Sequence, residues 1–251
     1  MDGLPAEFYS VFYNLIKDNL LDLIKNSLES GDLPECAKTG AIILIPKKGD
    51  KKNLNHWRPI SLSCADYKIL AKVLSNRFAP VLNTIINHHQ TGALPGRSIT
   101  DNHSAFRNAI CNDASPGAIV SLDFQKAFDR VDREKIYIAL HFFKFSPTFI
   151  TWIRTLYEDS NARIIINVQQ GCPLAALLYL TYVEPLQLML QKETIGMRVG
   201  SNIIFSTVFI DDVSIFVATD FDFYTIKNIL SLFESTSNSR LNKNKALESL
   251  T

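Results

Sequence analysis

Phe205-Ser206-Thr207-Val208-Phe209-Ile210-Asp211-Asp212-Val213-Ser214-Ile215-Phe216-Val217 sets two adjacent aspartates inside an apolar, β-branched and aromatic stretch. Residues of that kind favour strands, so the segment Met197 to Val217 predicts strands on each side of the Asp211-Asp212 pair. Burying two like charges together costs several kcal/mol or forces protonation unless a cation neutralises them. Alone, the pair reads better as the acidic tip of a hairpin sitting in water.

A second acid changes that balance. Ile119-Val120-Ser121-Leu122-Asp123-Phe124 is a compact apolar strand from Ala118 to Phe124, interrupted only by Asp123 and by Ser121. Two strands that each carry an unexplained acid can set them side by side. Three carboxylates so placed can share two divalent ions about 3.5 to 4 Å apart, the arrangement that activates a hydroxyl nucleophile and steadies a leaving phosphate. Magnesium suits such a set, because it prefers hard oxygen and keeps positions for water and substrate phosphates. Positioning and charge stabilisation then supply most of the rate.

The bulk properties set limits. With 251 residues, 47% hydrophobic, the chain can bury a sizeable core as one large domain or two joined lobes. The formal net charge is only +1, yet from Lys47 to Arg77 eight basic side chains (Lys47, Lys48, Lys51, Lys52, Arg58, Lys68, Lys72, Arg77) stand against Asp50 and Asp66. That stretch can meet phosphates, whereas the whole chain is no polycation. Cys36, Cys64, Cys111 and Cys172 lie far apart with no histidine at ligand spacing, which argues against zinc and for free thiols in a reducing compartment. No uncharged run approaches a membrane span, and Asp2 and Glu7 precede any apolar run; cytoplasm or nucleus is expected, without secretion or membrane insertion.

Around the acids, periodicity organises the chain. Phe8, Phe12, Leu15, Ile16, Leu20, Leu23, Ile24 and Leu28 predict one or two amphipathic helices stopped at Gly31. Ala41 to Pro46 predicts a strand and Lys47 to Asn55 a basic, polar loop. Tyr67 to Ile86 returns to helical spacing, with a break or kink expected at Pro80. Thr91 to Asp101 holds Gly92, Pro95 and Gly96 and predicts a turn-rich loop before a helix over Ser104 to Cys111. Helical segments follow from Arg133 through Tyr157, interrupted at Pro147. Ala162 to Val168 reads as a short strand and Leu174 to Leu190 as a buried helix. No repeat, low-complexity tract or linker is seen.

Several segments together resemble, in order and spacing, the reverse transcriptase of non-LTR (LINE-type) retrotransposons. They are Asp2-Gly3-Leu4-Pro5-Ala6-Glu7-Phe8-Tyr9, Leu44-Ile45-Pro46-Lys47-Lys48-Gly49-Asp50, Trp57-Arg58-Pro59-Ile60-Ser61-Leu62 and Tyr67-Lys68-Ile69-Leu70-Ala71-Lys72. Pro95-Gly96-Arg97-Ser98-Ile99-Thr100-Asp101-Asn102, Asp123-Phe124-Gln125-Lys126-Ala127-Phe128-Asp129, Gln170-Gly171-Cys172-Pro173-Leu174 and Phe209-Ile210-Asp211-Asp212 complete the series. Each segment alone is weak, whereas the ordered set covers nearly the whole chain.

The resemblance implies an α+β fold, a right-hand polymerase's fingers and palm with an antiparallel palm sheet and the thumb missing. It places fingers over residues 1–116 and palm over 117–251, with an inserted helical fingers segment at about 133–160. The implied activity is RNA-directed DNA polymerisation: two-metal nucleotidyl transfer to a primer 3′-hydroxyl, using an RNA template, a DNA primer and deoxynucleoside triphosphates. Asp123, Asp211 and Asp212 are the implied catalytic carboxylates, and the metal set is Asp123, Phe124, Asp211 and Asp212, taking two Mg2+ with Mn2+ as substitute. Lys47 and Arg58 match triphosphate-closing positions, Arg58 by its phosphate-matching fork. Phe128 matches the aromatic gate against a ribose 2′-hydroxyl, and Gln170 and Gly171 match a nucleotide contact that opens a helix. Lys245 matches a lysine near the triphosphate, and Gly96, Arg97 and Asn102 match a template-side loop and helix start. For Lys48, Lys51 and Lys52 a solvated loop is the better reading, for Phe128 a core position is equally open, and for Arg97 a structural turn competes with phosphate contact.

Three departures support a second expectation, a truncated, non-catalytic remnant with the same fold. The connection from Asn167 to Gln170 is shorter than the family's by roughly a dozen residues, enough for two short strands. Ala175-Ala176 replaces Ser-Pro, and Ile210 stands where a small alanine usually precedes the aspartates, its bulk expected to press toward the primer end. A third, distant reading is a nucleic-acid-binding module without chemistry.

Overall fold

The computed structural model describes residues 4, 6–38, 40–47, 50–52, 56–111, 117–157 and 172–242. The chain packs as two units, residues 1–77 with 140–175 and residues 78–139 with 176–251.

In the first unit, helices α1 (Ala6–Val11) and α2 (Tyr13–Ser30) carry the periodic N-terminal apolar residues, and α2 stops at Gly31, whose φ of 73° needs no side chain. The short helix α3 (Glu35–Lys38) leads into β1 (Ala41–Pro46), which pairs antiparallel with β2 (Trp57–Leu62) from Ala41↔Leu62 to Pro46↔Trp57. Every strand of a two-stranded sheet is an edge, which is why Pro59 is tolerated opposite Leu44. Helix α4 (Ala65–Ile85) begins here, α6 (Arg133–Phe142) ends here, and α7 (Pro147–Tyr157) starts on the proline read as an interruption. Tyr67 and Tyr157 are buried and direct their hydroxyls at the Cys172 thiol, at 3.6 and 3.3 Å.

The second unit is built on a sheet of order β3-β7-β6, comprising β3 (Ala118–Leu122), β6 (Ser206–Phe209) and β7 (Asp212–Val217), all antiparallel. A separate hairpin joins β4 (Met197–Val199) and β5 (Asn202–Ile204). Met197, Val199, Ile204 and Phe216 form a buried cluster, with Ala105, Phe106 and Ala109 of α5 (Ile99–Cys111) and Ile119 packed on it. Helix α8 (Ala175–Glu193), most of which lies in this unit, is buried along much of its length and supplies Leu178, Leu186 and Leu190 to the core.

Helix α9 (Asp220–Ser237), for which the sequence reading gives no helix, buries Ile226, Ile229 and Phe233. Thr219 caps it by accepting from Asp222 N at 3.2 Å, and the buried Asp222 carboxylate accepts from Ile195 N (2.8 Å) and Ala218 N (3.2 Å).

One difference from expectation has a physical cause. Pro80 lies inside α4 without ending it, because its face is exposed and the carbonyl it leaves unpaired, that of exposed Asn76, can reach water.

Candidate active site

The sheet of the second unit assembles the aspartates by register. β3 pairs with β7 as far as Leu122↔Val213, so Asp123 and Asp212 each adjoin the last paired residues at the same end of the sheet. The β6–β7 hairpin closes on Phe209↔Asp212, leaving Ile210 and Asp211 as its two-residue turn. Asp123 and Asp211 are half-buried and Asp212 is exposed, so the strand ends open to solvent.

Their surroundings are specific. The Asp123 carboxylate accepts from Asn242 Nδ2 at 2.9 Å, and its backbone carbonyl accepts from Asn242 N at 2.8 Å. Gln125 N donates to Arg240 O at 2.8 Å, and Phe124 bridges antiparallel to Leu241, so residues 240–242 run as a short partner to 123–125. The buried Tyr179 phenol is held well above its ordinary range, first by burial and then by Asp211, Tyr182 and Asp212. A row of rings underlies the site: Phe128 to Tyr179 at 4.8 Å, Tyr179 to Tyr182 at 6.0 Å, Tyr182 to Phe233 at 6.1 Å and Phe233 to Phe124 at 6.2 Å between centroids.

Among the described residues, no group of three or more His, Cys, Asp or Glu side chains is set to hold a metal ion. The register collects three backbones, while Asn242 engages one oxygen of Asp123. The side chains at hand, Asp123 and Asp212 beside the last paired residues of β3 and β7 and Asp211 in the β6–β7 turn, are hard oxygen donors partly open to water, the donor chemistry that magnesium prefers when it keeps solvent and phosphate ligands.

The hairpin turn is held from outside the sheet. Residues 89–92 run beside β6: Val208 N donates to His89 O and Thr91 N to Val208 O, both at 2.9 Å, around a parallel bridge Gln90↔Val208. Asn102, buried on α5, donates from Nδ2 to the same Val208 carbonyl at 3.1 Å. Ile210 has φ 60°, a left-handed conformation that a β-branched residue adopts only under constraint, and its Cγ1 lies against Gly92.

Arg97 is committed to the chain itself. Its Nε donates to Asn83 Oδ1 (2.8 Å), its Nη2 to Asn83 O (2.9 Å) and Ile86 O (3.0 Å), and its Nη1 to Gln90 O (2.8 Å) and Asn87 O. The carbonyls of Asn83 and Ile86 lie at the end of α4, so the guanidinium caps that helix, and Gly96, at φ 78°, makes the turn that delivers it. Below it Glu184, fully buried, accepts from Asn87 N (2.9 Å) and Gln187 Nε2 (3.2 Å). Burial raises the Glu184 pKa to about 7, against the lowering effect of the Asn87 amide and Arg97.

In the first unit, Lys47 and Arg58 are exposed at one hairpin end, Arg58 opposite Ile45 and Lys47 donating its backbone N–H to His56 O at 2.7 Å. Trp57 Nε1 donates to Lys51 O at 2.9 Å, fixing the loop against the strand. Gln170, Gly171 and Lys245 lie outside the described residues, as do the Ala162–Val168 segment and the short connection after Asn167. Sequence reasoning missed Gln90, Tyr179, Glu184 and Asn242, and treated Gly92 only as a turn residue. The signal available was polar residues in apolar context, as with Glu184 inside α8.

The chain matches the family model described as reverse transcriptase (RNA-dependent DNA polymerase) over residues 45–249. It is similar to the "Transposon TX1 uncharacterized 149 kDa protein" of Xenopus laevis, 32% identical over 98% of this chain and 20% of that protein. It is also similar to the "Retrovirus-related Pol polyprotein from type-2 retrotransposable element R2DM" of Drosophila melanogaster, 27% identical over 80% of this chain and 20% of that one. The chain thus spans about a fifth of the length of these relatives. In fold it resembles telomerase from Candida albicans, solved in complex with a TWJ fragment of telomeric RNA, with a TM-score of 0.57 and 13% identity over 92% of this chain and 45% of that chain. A mixed helix and strand architecture with antiparallel sheets, matched by a family model across most of its length and by relatives named as transposon proteins, belongs to the reverse transcriptase (RNA-dependent DNA polymerase) family as the reverse transcriptase domain of a LINE-type element.

Proposed function

We propose that this domain extends a DNA primer along an RNA template by nucleotidyl transfer at Asp123, Asp211 and Asp212. The observation that carries the reading is the register: β3–β7 pairing ends at Leu122↔Val213, beside Asp123 and Asp212, with Asp211 in the adjoining β6–β7 turn. Asp123, Asp211, Asp212 and the Phe124 backbone would hold two Mg2+ ions, which when bound would supply activation of the 3′-hydroxyl and neutralisation of the triphosphate. The chain's own residues position the reactants. Lys47 and Arg58, exposed and basic, are the proposed triphosphate contacts, with Gln170, Gly171 and Lys245 assigned by resemblance. Phe128, braced on Tyr179, is the proposed check on the sugar. Gly96, Arg97 and Asn102 shape the template-side loop, Arg97 and Asn102 through their bonds to α4 carbonyls and to Val208.

In this reading residues 1–116 are the fingers and 117–251 the palm, with a helical fingers segment inserted at about 133–160. A non-catalytic domain of the same fold is the competing reading, and two observations favour it: Asn242 donates to an oxygen of Asp123, and no group of three metal-ligating side chains is gathered among the described residues. Primer extension on poly-rA with oligo-dT and Mg2+, beside Asp211→Ala, separates the two. Extension by the parent that the variant lacks supports the polymerase. A folded parent that extends nothing, with Mg2+ or Mn2+, supports the non-catalytic domain.

A further inference from the structure

Gln90 is fully buried, and its side chain is used asymmetrically. Oε1 accepts from Gly92 N at 3.0 Å and from Ile210 N at 3.1 Å, whereas Nε2 has no hydrogen-bond partner among the described residues. A buried amide with an orphan donor is a poor way merely to fill a core, because the unpartnered N–H keeps its desolvation cost. The carbonyl end is therefore the part the fold uses. One of its donors lies two residues away, and the other lies 120 residues away, in the turn that presents Asp211.

The turn requires such support. Ile210 holds φ 60°, where a β-branched side chain clashes with its own backbone, and nothing in the β6–β7 ladder fixes its N–H because pairing stops at Phe209↔Asp212. Gly92 completes the seat: a Cβ there would fall 2.6 Å from Ile210 Cγ1 and 2.7 Å from Ile210 N, so the loop backbone approaches the turn as closely as a missing side chain allows. The bulk of Ile210 is thus taken up on Gly92. The segment carrying both residues is itself anchored, by Arg97 on Asn87 O and Gln90 O and by Asn87 N on Glu184.

We infer that Gln90 is a positioning residue for the catalytic hairpin: its carbonyl oxygen, with Gly92, locks the Ile210 amide and so fixes where the Asp211 and Asp212 carboxylates stand. The inference rests on the polymerase reading for its consequence, but the lock exists independently of turnover. Val208 keeps its bonds to His89, Thr91 and Asn102 without Gln90, so losing the oxygen loosens the turn and not the strand.

The test compares Gln90→Met, which keeps length and removes the acceptor, with Gln90→Glu, whose carboxyl accepts in either protonation state. Site-resolved hydrogen exchange should show the Ile210 amide at least tenfold faster in Gln90→Met, the Val208 amide changed less than threefold, and both near parental rates in Gln90→Glu. In primer extension, Gln90→Met should lower kcat at least tenfold with KM for the nucleotide within twofold, and Gln90→Glu should recover most of the loss. Unchanged Ile210 exchange in Gln90→Met overturns the inference, as does equal loosening of Val208 and Ile210, or equal damage from both variants. If the parent extends no primer, the polymerase reading falls, and the exchange rates still decide whether Gln90 holds the turn.

Discussion

Glu184 makes the stability of the second unit depend on pH in a direction that can be worked out. The carboxyl is fully buried, accepts from Asn87 N and Gln187 Nε2, and has its pKa raised from 4.5 to about 7. A folded-state pKa above the unfolded one means that folding favours the protonated form, so stability is highest below 4.5, falls as pH rises toward 7 and is level above it. At about 1.4 kcal/mol per pKa unit, burial of the charge costs about 3 kcal/mol at pH 8 relative to acid. Glu184→Gln keeps an acceptor for Asn87 N and removes the titration. His89, lowered to about 4 by burial and His88, acts in the opposite sense over the same range, but it is present in both proteins and cancels in their difference. Urea unfolding of both proteins at pH 5 and pH 8 should therefore show Glu184→Gln gaining on the parent by about 2 to 3 kcal/mol between the two. An equal pH slope for the two proteins would refute the argument.

Arg97→Ala strips the carbonyls at the end of α4 of their donors and should lower stability by about 2 to 4 kcal/mol in the same assay; lost RNA affinity with unchanged stability would instead make Arg97 a phosphate contact. Asp222→Ala orphans the Ile195 and Ala218 amides beneath the start of α9 and should cost about 2 to 4 kcal/mol, with Asp222→Asn intermediate. A loss under about 0.5 kcal/mol for Asp222→Ala would show those amides finding water.

The strands of the site were legible because each is a short apolar run with an acid at its end. Ile119 to Asp123 and Phe205 to Val217 carry period, composition and anomaly together, and their pairing follows once the acids are placed side by side. α2 and α4 were legible from their apolar periodicity, and α8 from the apolar length of its segment. β2 was not read as a strand, because Arg58 and Pro59 break the alternation and the strand survives only by pairing on one side. α9 was readable from Thr219, the acids of its first turn and Ile226, Ile229 and Phe233, but its exposed Phe221, Phe223 and Tyr224 blur the apolar stripe. What no local pattern reveals is the long-range wiring. Gln90 to Ile210, Asn87 to Glu184 and Asp123 to Asn242 join residues about a hundred positions apart, and polar side chains carry no periodicity that announces a partner.

The proposed polymerase requires Asp123 and Asp211 to share a cation at the ends of β3 and the β6–β7 turn. Anomalous diffraction from crystals of the protein with primer, template, nucleotide and Mn2+ tests this directly. The expected result is manganese density bound by carboxylate oxygens of both Asp123 and Asp211. Manganese bound elsewhere, with those two carboxylates ligating nothing, would contradict the account.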